Sequence, residues 1–230
     1  MAFKTIYGPP PAHVQPTELN GQLIVIEGAD GSGRSTQISL LKESLEADGK
    51  FVVEIGLKRS ALVGDQLEIA KQGNTLTRLT MSLFYATDFF DQFENQVVPA
   101  LRAGFVVLSD RYVYTLMLRD LLRGIDEDYL MTLYGPALMP SAVFYLDVKP
   151  KTLAYRNFKN NKTLDYWESG LDLGLSRDLY DNFIAYHHML RKRFLEYAER
   201  FNFEVLDGQK TVEQVQEDLW ARTRKILKNA

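Results

Sequence analysis

The sequence predicts an α/β fold, a three-layer α/β/α domain with a five-stranded parallel sheet. Three observations carry this. Five short, mainly apolar runs rich in Val, Ile and Phe recur along the chain, and the first, Leu23 to Ile26, is continuous rather than alternating, as in a strand buried on both faces. Segments of helical periodicity separate each run from the next, which specifies parallel strands joined by right-handed crossovers. Residues 22–37 read strand, glycine loop, helix, the context that a phosphate-binding loop needs.

The first strand is Leu23 to Ile26, and Ile38, Leu40, Leu41 and Leu45 place a helix after the loop. Asp48-Gly49 makes a turn into a second strand, Phe51 to Ile55. Gly56-Leu-Lys-Arg-Ser60 follows, at the strand end where ligands gather in open parallel sheets. Residues 61–72 read as a helix broken at Gly73-Asn74, and 76–101 as one long helix bent before Pro99. Phe105 to Leu108 is the third strand and runs into Asp110-Arg111-Tyr112. Two helices, 113–123 and 126–135, lead to a fourth strand, Ala142 to Leu146, ending at Asp147. Lys149 to Lys159 is helical, 160–172 is a polar and mobile loop, and 173–201 is a second long helix. Phe203 to Leu206 is the fifth strand, and Thr211 caps a last helix reaching Leu227. Residues 1–20, with Gly8-Pro-Pro-Pro-Ala12 and Pro16, form a Pro-rich, partly extended polar arm, and 21–230 a single domain.

Composition narrows the function. A chain of 230 residues, 46% hydrophobic and 25% charged, can bury a core without staples. With no cysteine, disulfides and thiol chemistry are excluded. A net charge of −3 with mixed signs gives no basis for nucleic-acid or anionic-membrane partners. No apolar run approaches the roughly 20 residues that span a bilayer, and the first residues lack a signal-peptide pattern. The expected location is cytoplasmic.

The chemistry starts at Gly28-Ala-Asp-Gly-Ser-Gly-Arg-Ser-Thr-Gln37. Glycines let backbone N–H groups encircle phosphate oxygens, and the helix N-terminus adds partial positive charge. Gly28, Gly33 and Ser35 meet the spacing G-x-x-x-x-G-K-[S/T], but position 34 is Arg instead of Lys. Guanidinium is planar and wider than ammonium, so a working loop and a catalytically weak one both stay open.

Together with Leu83-Phe-Tyr-Ala-Thr-Asp88, Asp110-Arg-Tyr-Val-Tyr-Thr115, Pro140 to Asp147, Tyr166-Trp-Glu168 and Leu206 to Glu213, the loop resembles the thymidylate kinase family. That family belongs to the P-loop nucleoside monophosphate kinases, of P-loop NTPase fold with a small lid. The resemblance covers about 22–227 and places the lid at about 158–172. It implies ATP and Mg²⁺, nucleotide substrates, a homodimer paired through 76–103, and phosphoryl transfer to dTMP or another nucleoside monophosphate.

By resemblance, Gly28, Asp30, Gly31, Ser32, Gly33, Arg34, Ser35 and Thr36 hold ATP, with Gln209 beside its adenine. Ser35 and Asp110 bind the metal, and Arg34, Asp110, Arg111 and Arg156 serve the transfer. Asp30, Lys58, Arg59, Tyr85, Phe89, Arg111 and Tyr166 line the acceptor site. Blander readings stand beside these. Asp30 suits a self-capping turn, Asp110 and Arg111 a structural ion pair, Tyr85 core packing, and Arg156, Lys159 or Lys162 a solvated surface. Phe89 stands where the resemblance expects a base-reading arginine, and 56–60 departs from the family pattern. An inactive nucleotide-binding homologue, or a kinase for another nucleotide or nucleoside, is therefore the alternative.

Overall fold

The structure, a computed structural model that describes residues 3–73, 76–159 and 165–228, places β1 (Gln22–Glu27) at the middle of one sheet. Its partners are β2 (Val52–Gly56), β3 (Val106–Asp110), β4 (Ala142–Asp147) and β5 (Glu204–Asp207), all parallel, in the order β2-β3-β1-β4-β5. Period-two alternation splits the strand side chains between two cores. Leu23, Val25, Val107, Val143 and Tyr145 face one; Ile24, Ile26, Leu108, Phe144 and Leu146 face the other.

The second core is covered by α1 (Arg34–Ala47) and, from the end of the chain, by the last helix (Val212–Lys228), through Ile38, Leu41, Leu45, Val215 and Leu219. The first core is the larger. Over it lie α2 (Gly64–Gly73), α3 (Arg78–Gln92), α4 (Val98–Arg102), α5 (Val113–Leu122) and α6 (Glu127–Tyr134). Next in the chain come α7 (Pro150–Lys159) and α8 (Leu179–Phe201), which makes the last helix α9. Phe183, Tyr186 and Phe194 of α8 are buried, as their helical spacing predicts.

Three boundaries differ from the sequence reading. The helix expected over 76–101 is divided: Thr77 caps α3 by accepting from Thr80 N–H, and a π-helical stretch at Phe93–Val97 separates α3 from α4. Pro99 lacks the N–H that a regular helix needs there, and the wider turn takes up the misfit. The helix expected from 173 starts at 179, because a left-handed Gly174 ends a short 3₁₀ turn and Asp178 then caps α8 through Asp181 N–H. The helix expected from 61 starts at 64, because the Ser60 hydroxyl accepts the Leu62 and Val63 N–H groups.

The loop expected to be mobile over 160–172 is folded at 165–172. Trp167 and Glu168 are buried there, while 160–164, with Lys162, lie outside the described residues. The Pro-rich segment is fastened to the domain. Thr5 bridges Leu138 in antiparallel fashion, and Val14 and Leu19 enter the larger core.

Candidate active site

The carboxyl ends of β1, β2 and β3 lie side by side, with Ile26 paired to Asp110 and Asp110 to Gly56. The loops that follow these strands therefore open onto one crevice, where parallel sheets of this kind bind ligands.

After β1 the chain turns through Gly28, Gly31 and Gly33, all at positive φ. At Gly31 (φ 81°) a Cβ would also lie 2.9 Å from the Asn157 amide nitrogen, so no side chain fits. Gly33 (φ 96°) opens α1 without a side-chain cap, and the first N–H to close on it is that of Gln37. The amides of the first turn are thus left for an outside acceptor, with the positive end of the helix dipole behind them. Ser35 and Thr36 are exposed at that turn, and the buried Ser32 hydroxyl has no partner among the described residues.

Arg34 departs from the expected reach toward a phosphate. Its buried guanidinium folds back under the loop, donating to the carbonyls of Gly28 and of Ala29 (2.8 Å) and through Nε to Asp110 Oδ1 (2.7 Å). A fork of planar donors suits two carbonyls and a carboxylate together, which a single ammonium would not. Burial alone would push the Asp110 carboxyl up, but Arg34, aided by Arg111 and Arg59, holds it below the usual carboxylate range.

Behind this pair lies Glu27. Its fully buried carboxylate closes off the start of α5, accepting from Tyr112 N–H (3.0 Å), from Thr115 N–H (3.3 Å) and from the Thr115 hydroxyl. Burial raises its pKa to about 7 against these bonds. The capped turn holds Arg111 at φ 71°, a left-handed position that an arginine seldom takes. From there Arg111 Nη2 reaches Asp30 and, at 3.3 Å, Glu168, while its Nε has no partner among the described residues.

Glu168 is the centre of a buried ion cluster. Burial opposes its charge, yet Arg111, Arg119 (3.3 Å) and Lys71 (3.2 Å) hold its pKa well below normal. Lys71 also pairs with Asp165 at 2.7 Å. Next to the cluster is a small cavity of about 20 Å³, lined by Arg78, Met81, Tyr85, Leu116, Arg119, Asp120, Arg123 and Trp167. Burial pushes the Asp120 carboxyl up to about 6, although Ser82 donates to it.

The predicted residues divide accordingly. Gly28, Asp30, Gly31, Ser32, Gly33, Arg34, Asp110 and Arg111 come together. Arg156 joins them, donating to the carbonyls of Gly31 (3.2 Å), Ser32 and Gly208 (3.0 Å). That bridge brings the Gly208-Gln209 turn beside the loop, with Gln209 accepting from Thr152. Arg59 stands 4.0 Å from Asp110 and binds Glu54, whereas Lys58 turns away to Glu68 (2.6 Å). Tyr85 lines the cavity. Phe89 does not: it packs against Phe90, Phe93, Tyr112 and Tyr134 in the apolar core, where its ring loses the most water. Tyr166 stands at the surface, edge-on to Trp167, and it is Trp167 and Glu168 that turn inward.

Lys71, Arg78, Arg119, Asp120 and Arg123 were not selected from the sequence, and Trp167 and Glu168 entered only within the Tyr166-Trp-Glu168 piece, without a role. The usable signal was Arg119-Asp120 within the otherwise apolar α5, because charges on such a helix must find buried partners.

Comparison with known proteins agrees with this geometry. The family model described as thymidylate kinase matches residues 26–219. The chain is 37% identical over 210 residues to "Probable thymidylate kinase 2" of Saccharolobus solfataricus, covering 91% of this chain and 96% of that protein. It is 31% identical to the thymidylate kinase of a Sulfurihydrogenibium species (82% and 89% covered). It is 29% identical to the probable thymidylate kinase of Thermococcus kodakarensis (89% and 98%).

Proposed function

The chain belongs to the thymidylate kinase family, and from that premise we propose that it transfers the γ-phosphoryl group of ATP to a nucleoside monophosphate, with dTMP the first acceptor. The observation that carries this reading is adjacency. The loop with open amides and the buried Arg111 leave neighbouring strand ends, so a triphosphate on one and an acceptor phosphate on the other meet end to end. An acceptor phosphate oxygen attacks the γ-phosphorus in line, the bond to the β–γ bridging oxygen breaks, and ADP leaves. The protein's part is to position the two nucleotides and neutralise their charge.

In this reading the amides from Gly31 to Thr36 hold the donor phosphates, and Arg34 lends its charge from beneath the loop. Arg111 holds the acceptor phosphate against Asp30, and Arg156 lies beside the transferring group. The Ser35 hydroxyl and Asp110 would hold Mg²⁺ together with nucleotide oxygens. Their hard oxygen chemistry fits, and Asp110 Oδ2 has no partner among the described residues closer than Arg59 at 4.0 Å. The ion would supply charge neutralisation at the β- and γ-phosphates. A cytoplasmic homodimer completes the reading, with the exposed Leu79 and Leu83 of α3 as the pairing surface. Sedimentation equilibrium should then give twice the 26.4 kDa chain mass.

The test is a coupled assay of ADP formation over a panel of nucleoside monophosphates, with Arg34→Lys run alongside. Acceptor-dependent turnover with dTMP is the expected result. Absence of turnover by both proteins with every acceptor would reject the kinase reading, and ATP binding under those conditions would mark a non-catalytic nucleotide-binding protein.

A further inference from the structure

Along α2 the buried positions are Gly64, Leu67 and Lys71, one stripe at steps of three and four residues. A lysine on such a stripe, here 4% exposed, is costly unless its charge is met. Its Nζ meets two carboxylates of one turn, Asp165 Oδ2 at 2.7 Å and Glu168 Oε1 at 3.2 Å. Among the described residues these are the ion pairs that join α2 to the turn at 165–170.

The two carboxylates have different parts. Asp165 shapes the turn: its Oδ1 accepts the N–H groups of Trp167 (3.0 Å) and Glu168 (2.9 Å), and its Oδ2 faces Lys71. Glu168 divides its charge. Oε1 faces Lys71, while Oε2 is shared at 3.3 Å by Arg111 and Arg119. Lys71 thus neutralises part of the anion that holds Arg111, whose Nε–H has no partner among the described residues. Without the ammonium, the whole Glu168 charge would bear on Arg111 and Arg119. The site would also carry one more negative charge beside an incoming phosphate, where burial leaves charges little screened.

Resting on the kinase reading, we propose that Lys71 is a positioning residue for the acceptor's phosphate, acting through Glu168 to leave Arg111 free to grip it. This is a role of charge, which separates it from merely fastening the turn to α2. Asp165→Asn draws the distinction. Its amide oxygen can keep the bonds to Trp167 and Glu168 N–H, while the lost negative charge leaves Lys71 wholly to Glu168. A charge role gives Lys71→Met and Asp165→Asn opposite effects on phosphate binding. A fastening role gives them the same effect, because each variant cuts an ion pair between α2 and the turn.

Titration calorimetry on the full chain, with dTMP and with thymidine, isolates the phosphate's share of binding and needs no turnover. The wild-type protein should bind dTMP at least about tenfold more tightly than thymidine. Lys71→Met should lower that ratio about tenfold, leaving thymidine and ATP affinities within about twofold, and Lys71→Arg should restore it. Asp165→Asn should raise the ratio about twofold, a small effect because Asp165 is partly exposed. Circular dichroism identifies which variants fold. An unchanged ratio in folded Lys71→Met overturns the proposal, as does a lowered ratio in Asp165→Asn, which decides alone if Lys71→Met does not fold. Equal wild-type affinity for dTMP and thymidine also overturns it, and ADP formation in that case would leave the kinase reading standing. A protein that shows the opposite shifts but never forms ADP would instead reject the kinase reading and leave the role of Lys71 in place.

Discussion

The loop after β1 and the cluster around Glu168 both border the crevice, but they are assembled differently. The loop draws its donors from backbone amides within nine residues, Gly28 to Thr36, and three glycines at positive φ shape it. The cluster draws its charges from α2, the turn after β3, α5 and the turn at 165–170, with Lys71 and Glu168 separated by 97 residues. A site made of backbone dipoles needs no counter-charge and tolerates emptiness. A site made of buried ions is neutral only when every member is present, so it is sensitive to single substitutions.

Glu168→Gln should therefore have the largest effect, because it leaves Arg111, Arg119 and Lys71 facing one another around a neutral amide. Breaking such a set costs about 3–5 kcal/mol. Urea unfolding should show that loss, and an unshifted midpoint would mean that the cluster is solvated like a surface pair.

Glu27→Gln comes next and is read against pH. Because burial raises the Glu27 pKa to about 7 from 4.5, the folded protein holds a proton in that range that the unfolded chain has released. The stability due to neutral Glu27 is fully present below about pH 4.5 and is lost as pH rises through about 7, a change of order 3 kcal/mol. Asp120, pushed up to about 6, acts in the same direction. Glu27→Gln should flatten the fall in urea midpoint between pH 5 and pH 8. A slope identical to wild type would show that the carboxyl stays ionised in the fold.

Asp110→Ala should lower kcat/KM about 100-fold, as expected for removing a group placed at developing charge. Its stability loss should stay below that of Glu168→Gln, since Arg34 keeps the Gly28 and Ala29 carbonyls. A collapse of the circular dichroism spectrum would make the residue chiefly structural and erase the contrast between the two regions.

Lys58→Ala should have the smallest effect. The pair with Glu68 is partly exposed, and such pairs contribute about 0–1 kcal/mol. Kinetic constants within about twofold of wild type are expected. A tenfold rise in KM for the acceptor would show that Lys58 leaves Glu68 to grip a phosphate.

By itself the sequence determined the parallel sheet, the order of its strands and helices, and the loop with its departure at Arg34. These follow from apolar runs, helical spacing and glycines, all of which act over a few residues. It also placed Asp110 and Arg111 at a strand end. Only the tertiary structure decided that Arg34 folds under the loop and that Tyr85 faces a cavity while Phe89, one helical turn on, fills the core. It likewise decided that Trp167 and Glu168 turn inward where Tyr166 does not. A buried cation and an exposed one are the same letter in a sequence. Which of them is buried depends on partners brought together from distant segments, and for Lys71 and Arg119 that partner is Glu168.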